Sequence, residues 1–149
     1  MSGLKIMCTV GFLKSVVVLT AVGVVMSCGG GGSNNSVDQE SLVGVYMLNN
    51  FSLVTTNQET LTPENFSSFS STLLLNGDGT FTTTTSLNAE TAAASGDWVV
   101  LGGNRVETTV DGCIEDLSFT LSSGVLTLTD DDVTCTEGID SETEQWIRL

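Results

Sequence analysis

The side chains able to do chemistry in this 149-residue sequence are mostly carboxylates and thiols. Asp130-Asp131-Asp132, with Glu137 and Asp140 close behind, is a run of hard oxygen ligands of the kind that holds Ca²⁺ weakly. The same run also reads as a solvated turn that blunts a strand edge. Glu115 with Asp116, and Glu142 with Glu144, are paired carboxylates. A glycosidase needs one such group with a raised pKa and one with an ordinary pKa, in a cleft. No apolar pocket is legible around any of the four. Asn76-Gly77-Asp78-Gly79-Thr80 has the opening of a calcium loop, but the twelfth position, where a bidentate Glu is needed, is Leu87. A tight hairpin turn is the better reading. Histidine is absent, which removes Ser-His and Cys-His nucleophiles and the commonest zinc ligand. Both lysines, Lys5 and Lys14, lie near the N-terminus, so no Ser-Lys pair is available to the remainder. No motif calls for a cofactor or a metal, no catalytic residue is assigned, and the expectation is a protein that is not an enzyme.

The thiols point to location. Lys5 and Lys14 precede Ser15 to Met26, an apolar run of 12 residues that is shorter than the ~20 a spanning helix needs. This is the pattern of a cleaved secretory signal over residues 1–27. Val25-Met26-Ser27-Cys28 resembles the bacterial lipobox. The resemblance implies that Cys28 is lipidated on its thiol and becomes the mature N-terminus. Gly29 to Ser36 is rich in Gly, Ser and Asn, and residues 28–40 are read as a flexible tether with a reach of ~15–18 Å. Gly29 rather than Asp after the cysteine resembles outer-membrane sorting in enterobacteria, so the expected location is the cell envelope, lipid-anchored, at the outer membrane. Cys113 and Cys135 are then an even pair in an exported chain. A disulfide is the simplest reading, two buried free thiols the alternative.

Charge narrows the partners. The whole chain has 4 basic and 18 acidic residues, a formal charge of −14. Arg105 and Arg148 are the only cations after Cys28, against all 18 acids, so the mature part carries −16. Nucleic acid is excluded as a partner, because phosphate binding needs clustered Lys and Arg. Solubility beside an anionic envelope and docking of a basic protein both remain open.

The elements that must position these groups are short strands. Over 41–149, apolar/polar alternation is broken by turn signals at hairpin spacing, which predicts an all-β, antiparallel barrel or sandwich of about eight strands. The predicted strands cover Leu42–Leu53, Ser71–Leu75, Thr80–Leu87, Gly96–Leu101, Arg105–Val110, Cys113–Leu121, Val125–Thr129 and Glu142–Leu149. Thr62 and Pro63 predict one short helix reaching Phe69, with Phe66 and Phe69 as its apolar face. Asn88 to Ser95 is read as a small-residue loop, with Ala89 to Ala94 able to form one helical turn. Phe81, Leu87, Trp98, Val100, Leu117, Phe119, Leu126, Leu128 and Trp146 are the candidate inward residues.

Leu42-Val43-Gly44-Val45-Tyr46, Leu73-Leu74-Leu75-Asn76-Gly77-Asp78-Gly79-Thr80-Phe81, Gly96-Asp97-Trp98 and Trp146-Ile147-Arg148-Leu149 follow in order along the domain. In this the chain resembles bacterial lipocalin-like domains, with Tyr46 where that family has Trp. The resemblance implies an eight-stranded barrel closed at one end by Tyr46 packed under Arg148. It also implies a small hydrophobic ligand inside, with Phe81, Trp98, Leu117, Phe119 and Trp146 as interior contacts. The competing expectations are an acidic protein-interaction module, similar to the small disulfide-linked barrel lipoproteins that inhibit basic lysozyme, and a structural envelope component without a ligand.

Overall fold

Period-two alternation becomes a single sheet that closes on itself. The computed structural model describes residues 37–149. The signal over 1–27, the lipidation candidate Cys28 and tether residues 28–36 lie outside the described residues. A short helix, α1 (Gln39–Leu42), comes first. It starts at Asp38, whose carboxylate accepts from Ser41 N–H at 2.9 Å, the ordinary work of an N-cap. The strands are β1 (Gly44–Thr55), β2 (Thr60–Leu61), β3 (Phe69–Leu75), β4 (Thr80–Leu87), β5 (Glu90–Leu101), β6 (Arg105–Val110), β7 (Cys113–Ser122), β8 (Val125–Asp130) and β9 (Ile139–Arg148), with a 3₁₀ turn at Pro63–Asn65. From β3 to β9 each strand pairs antiparallel with the next, β1 pairs with β3, and β1 also pairs with β9. The last pairing closes an eight-stranded barrel and leaves it without a free edge. β2 is an extra two-residue strand held against the far end of β1.

The register gives the barrel two unlike ends. Gly44 at the start of β1 faces Leu75, and Tyr46 faces Arg148. The start of β1, the β3–β4 turn and the end of β9 therefore share one end. α1 closes it, burying Leu42 to 1% exposure. At the other end lie Phe69, Asp130, Glu142 and the segment 131–138. Cys113 and Cys135 form a disulfide there, with Cα atoms 5.9 Å apart and a sequence separation of 22. A crosslink of that span is worth ~3 kcal/mol on the chain-entropy estimate. It pins segment 131–138 to the start of β7.

Towards the α1 end the inner wall is one continuous apolar cluster. It includes Leu42, Tyr46, Leu73, Leu75, Phe81, Trp98, Leu117, Phe119, Leu126 and Trp146. Gly96 lets strands pack this tightly: a Cβ there would stand 2.1 Å from Thr109 O and 2.9 Å from the Phe81 ring.

Three elements differ from the sequence reading. The helix expected from Thr62 to Phe69 is only the 3₁₀ turn Pro63–Asn65, and Phe69 already belongs to β3. The predicted cap itself forms: Thr62 N–H donates to Asn65 Oδ1 at 2.7 Å. The segment read as a loop from Asn88 to Ser95 is instead mostly strand, because β5 starts at Glu90 and pairs with β4 from Glu90 to Asp97. Asn88 and Ala89 make the two-residue turn, at φ of 52° and 69°, the primed geometry that hairpins favour. Leu42, placed in the first strand, lies in α1, while Leu87 and Val100 are half-buried rather than fully inside.

Candidate functional site

At the α1 end, the groups carried by the first and last strands converge. Arg148 Cζ sits 5.4 Å from the centroid of the Tyr46 ring. Its Nη2 donates to Ser41 O at 2.9 Å and to Val43 O. Tyr46 Oη donates to Leu42 O at 2.7 Å. Burial pushes the Tyr46 hydroxyl pKa up, and the neighbouring Arg148 charge works the other way. Gly44 makes room for this arrangement, since a Cβ there would stand 2.9 Å from Arg148 Nε. The guanidinium thus satisfies carbonyls that α1 leaves open at its C-terminus. This end is a plug built from the chain's own atoms.

The five aromatic and aliphatic residues expected to contact a ligand, Phe81, Trp98, Leu117, Phe119 and Trp146, are 0–3% exposed. They pack against one another in the apolar cluster. Trp98 Nε1 donates to Asn76 O and Thr80 O, at 3.2 and 3.0 Å, which ties it to the β3–β4 turn at the plugged end. In that turn Asp78 Oδ1 accepts from Thr80 N–H and Oγ1–H at 3.0 and 2.7 Å. Those bonds, the hydroxyl's first, hold the Asp78 carboxyl below its usual range.

The opposite half of the interior is different in kind. Strand parity turns Ser71, Thr83, Thr85 and Thr108 inward with the carboxylates Glu115, Asp130, Glu142 and Glu144, all of them buried. Ser71 and Thr85 bond each other through their hydroxyls at 2.8 Å. Glu115 Oε1 accepts the N–H of Cys135 at 3.2 Å, so an inward carboxylate fastens the disulfide-pinned segment. Glu144 is wholly buried, and its Oε2 accepts from Trp146 Nε1 at 3.0 Å. Burial pushes the Glu144 pKa up to about 8. The Trp146 bond opposes that shift, and the charge of Glu115 adds to it. At neutral pH Glu144 is therefore mainly a neutral acid.

Beside these carboxylates, Phe51, Phe66 and Phe69 form an aromatic triad, with ring centroids 5.2–6.1 Å apart. Phe51 is buried, whereas Phe66 and Phe69 are half-buried. Leu48, Leu53, Leu61 and Ile139 complete this second apolar cluster, towards the end opposite α1.

On the outer wall, the exposed Asp131 and Asp132 border a groove of about 480 Å³ that also takes in Arg105, Ile114 and Asp116 and reaches the inward-turned Glu115 and Asp130. Among the described residues, no group of three or more acidic, Cys or His side chains is arranged to hold a metal ion.

The inward carboxylates were missed in the sequence, although a signal was there. Glu142, Glu144 and Trp146 have the same parity in β9, so a tryptophan placed inside carries both glutamates inside with it. The fold and these sites together define a closed antiparallel barrel with one plugged apolar end and one acidic, aromatic-rimmed end. Comparison of the sequence with protein-family models and with curated proteins finds no match.

Proposed function

We propose that this chain is a non-catalytic binding lipoprotein of the bacterial envelope, anchored through Cys28, whose lipocalin-like barrel takes a small hydrophobic ligand at the end opposite α1. The observation that supports this reading is the asymmetry of the barrel. One end is filled by α1, Tyr46 and Arg148, while the half-buried Phe66 and Phe69 rings lie beside small hydroxyl side chains at the other. Half-buried aromatic surface beside a few placed polar groups is what small-molecule sites are made of. In this reading the ligand rests on the Phe51–Phe66–Phe69 triad, and Phe81, Trp98, Leu117, Phe119 and Trp146 form the floor beneath it. The tether would hold the domain clear of the headgroups, and two or three acyl chains on Cys28 would make the anchor stable.

Titrating the full chain with the neutral fluorophore N-phenyl-1-naphthylamine tests the ligand reading. Saturable binding that weakens at least tenfold in a Phe66→Ala, Phe69→Ala double variant is the expected result. No saturable binding, or binding indifferent to both rings, refutes it. Labelling of cells with palmitate tests the anchor separately: the label should be incorporated and should disappear with Cys28→Ala.

A further inference from the structure

Charge divides the outer wall of the barrel. Among the described residues, β1, β3 and β4 contain no charged side chain, and the charge of β8 is the inward-turned Asp130. In β9 the outward Thr143, Gln145 and Ile147 continue the same face, with Asp140 and Arg148 flanking it at the two ends of the strand. These strands are neighbours in the closed sheet, in the order β8, β9, β1, β3, β4. On the other side of the barrel Asp97 of β5, Arg105 and Glu107 of β6 and Asp116 of β7 all point outward. A chain of net charge −14 thus keeps one wall neutral.

The half of this wall nearer α1 is also apolar. Val45, Met47 and Leu74 are 39–45% exposed, and Leu149 is 72% exposed. They are contiguous: Val45 pairs with Leu74, Met47 pairs with Ile147, and Leu149 N–H donates to Val45 O at 2.9 Å. Exposed aliphatic side chains gathered in one patch mark an interaction surface, which scattered ones do not. Around the patch stand Thr72, Thr82, Thr127 and Gln145. A hydroxyl or an amide both donates and accepts, so an identical surface can satisfy it.

A neutral wall on an acidic molecule limits what it is for. A basic partner is drawn to the charged wall, and a neutral partner gains little from clearing acids off one side. A partner that is itself acidic needs such a face, because like charges brought together across an interface are costly. We infer that the wall from β8 through β1 to β4 docks a second copy of this chain, forming a two-fold dimer with Met47 near the axis. β1 is the middle strand of the five, and a self-complementary contact sets the centre of a face against itself. Five strands about 4.8 Å apart and about six residues long present roughly 400 Å² in projection. That is the size of a reversible contact, not of an obligate dimer. An anionic bilayer is the other acidic surface at hand, and the proposed tether holds the domain clear of it. The dimer needs neither the interior ligand nor the anchor, although an anchor would favour it by concentrating copies on one surface.

Crosslinking of the full chain with 1,2-bis(maleimido)ethane tests this, on phosphatidylethanolamine–phosphatidylglycerol vesicles and free in solution. Met47→Cys places a thiol at the centre of the face. Val99→Cys places one on the charged wall, where Val99 is 42% exposed and pairs with Glu107. Wild type is the blank for Cys8 and Cys28. Met47→Cys should give dimer at least about fivefold faster than Val99→Cys, and adding Leu74→Glu should remove that excess by setting two carboxylates against each other. A chain that does not float with the vesicles would refute the anchor alone, since the same crosslink is expected in solution. Equal crosslinking at the two positions, or an excess that survives Leu74→Glu, would overturn the dimer. So would a Met47→Cys thiol that does not crosslink on vesicles and is shielded there from a soluble monomaleimide, because lipid would then cover the face.

Discussion

Replacing Glu144 by Gln should remove most of the pH dependence of stability between pH 6 and 9. Glutamine keeps the shape and an oxygen for Trp146 Nε1, which donates to Glu144 Oε2 at 3.0 Å, but it cannot ionise. In the folded protein the Glu144 pKa rises from 4.5 to about 8, chiefly through burial. A raised folded pKa means that the native state holds its proton more tightly than the unfolded chain does. The contribution is complete below pH 4.5 and is lost as pH rises towards 8, levelling off above that. At ~1.4 kcal/mol per unit, the loss between pH 6 and 9 comes to about 3 kcal/mol. The sequence has no histidine, ordinary carboxylates are ionised by pH 6, and burial pushes Tyr46 above its usual value of 10.0. Glu115, Glu142 and Asp130 are the other carboxylates turned into the same half of the barrel. Urea denaturation at each half pH unit would read the stability, and Trp146 fluorescence in a Trp98→Phe background would read ionisation of its partner directly. Wild type should lose stability steadily from pH 6 to 8, while Glu144→Gln stays flat and is the more stable at pH 9. Parallel profiles for the two proteins, or a variant weaker than wild type at pH 9, would refute the assignment of Glu144 as a buried neutral acid.

Two further perturbations test the plug and the turn. Arg148→Ala removes two charged donors from carbonyls of the α1 region and the contact over Tyr46. It should destabilise by about 2 kcal/mol, lowering the thermal midpoint by several degrees, and an unchanged melt would show the arginine to be a mere surface charge. Ala89→Gly should stabilise by ~1 kcal/mol, because Ala89 sits at φ 69° where a Cβ is strained. Calorimetry showing a lower midpoint for that variant would mean that the turn is not formed as described.

The barrel was legible in the sequence because its information is local. Val106, Thr108 and Val110, or Phe81, Thr83 and Thr85, alternate without interruption, and parity alone puts each set inside. The β4–β5 hairpin was illegible for an equally local reason. Its turn uses Asn88-Ala89 where Asn-Gly would be the usual signal, and the following Ala92 to Ala94 has more helical than strand preference. Pairing with a threonine-rich β4 overrides that preference. The helix expected at Thr62 stopped after one turn because Phe69 gains more by joining β3 and meeting Phe51 at 5.2 Å than by extending an exposed helix.

The interior carboxylates went unread for a different reason: the habit of assigning charge to solvent outweighed the arithmetic of parity. Leu117 inside implies Glu115 inside, Leu128 implies Asp130, and Trp146 implies Glu144 and Glu142. Four acids in half of a small barrel are a burden that the other half must carry. The plugged end concentrates Tyr46, Trp98, Trp146, Phe81 and the leucines, all nearly inaccessible to water, and burying each large side chain contributes ~1.5–3 kcal/mol. The opposite end can then keep groups that stability alone would have replaced. A protonated Glu144 lessens that burden, since two neighbouring carboxylates need not both be charged. The formal charge of −14 counts Glu144 as ionised and so overstates the charge of the interior, whereas Asp131 and Asp132 are exposed on the outside. The acidity has two physical meanings in one chain. Inside, Glu144 is held as a neutral acid that accepts from Trp146, and outside, the carboxylates face solvent as charges.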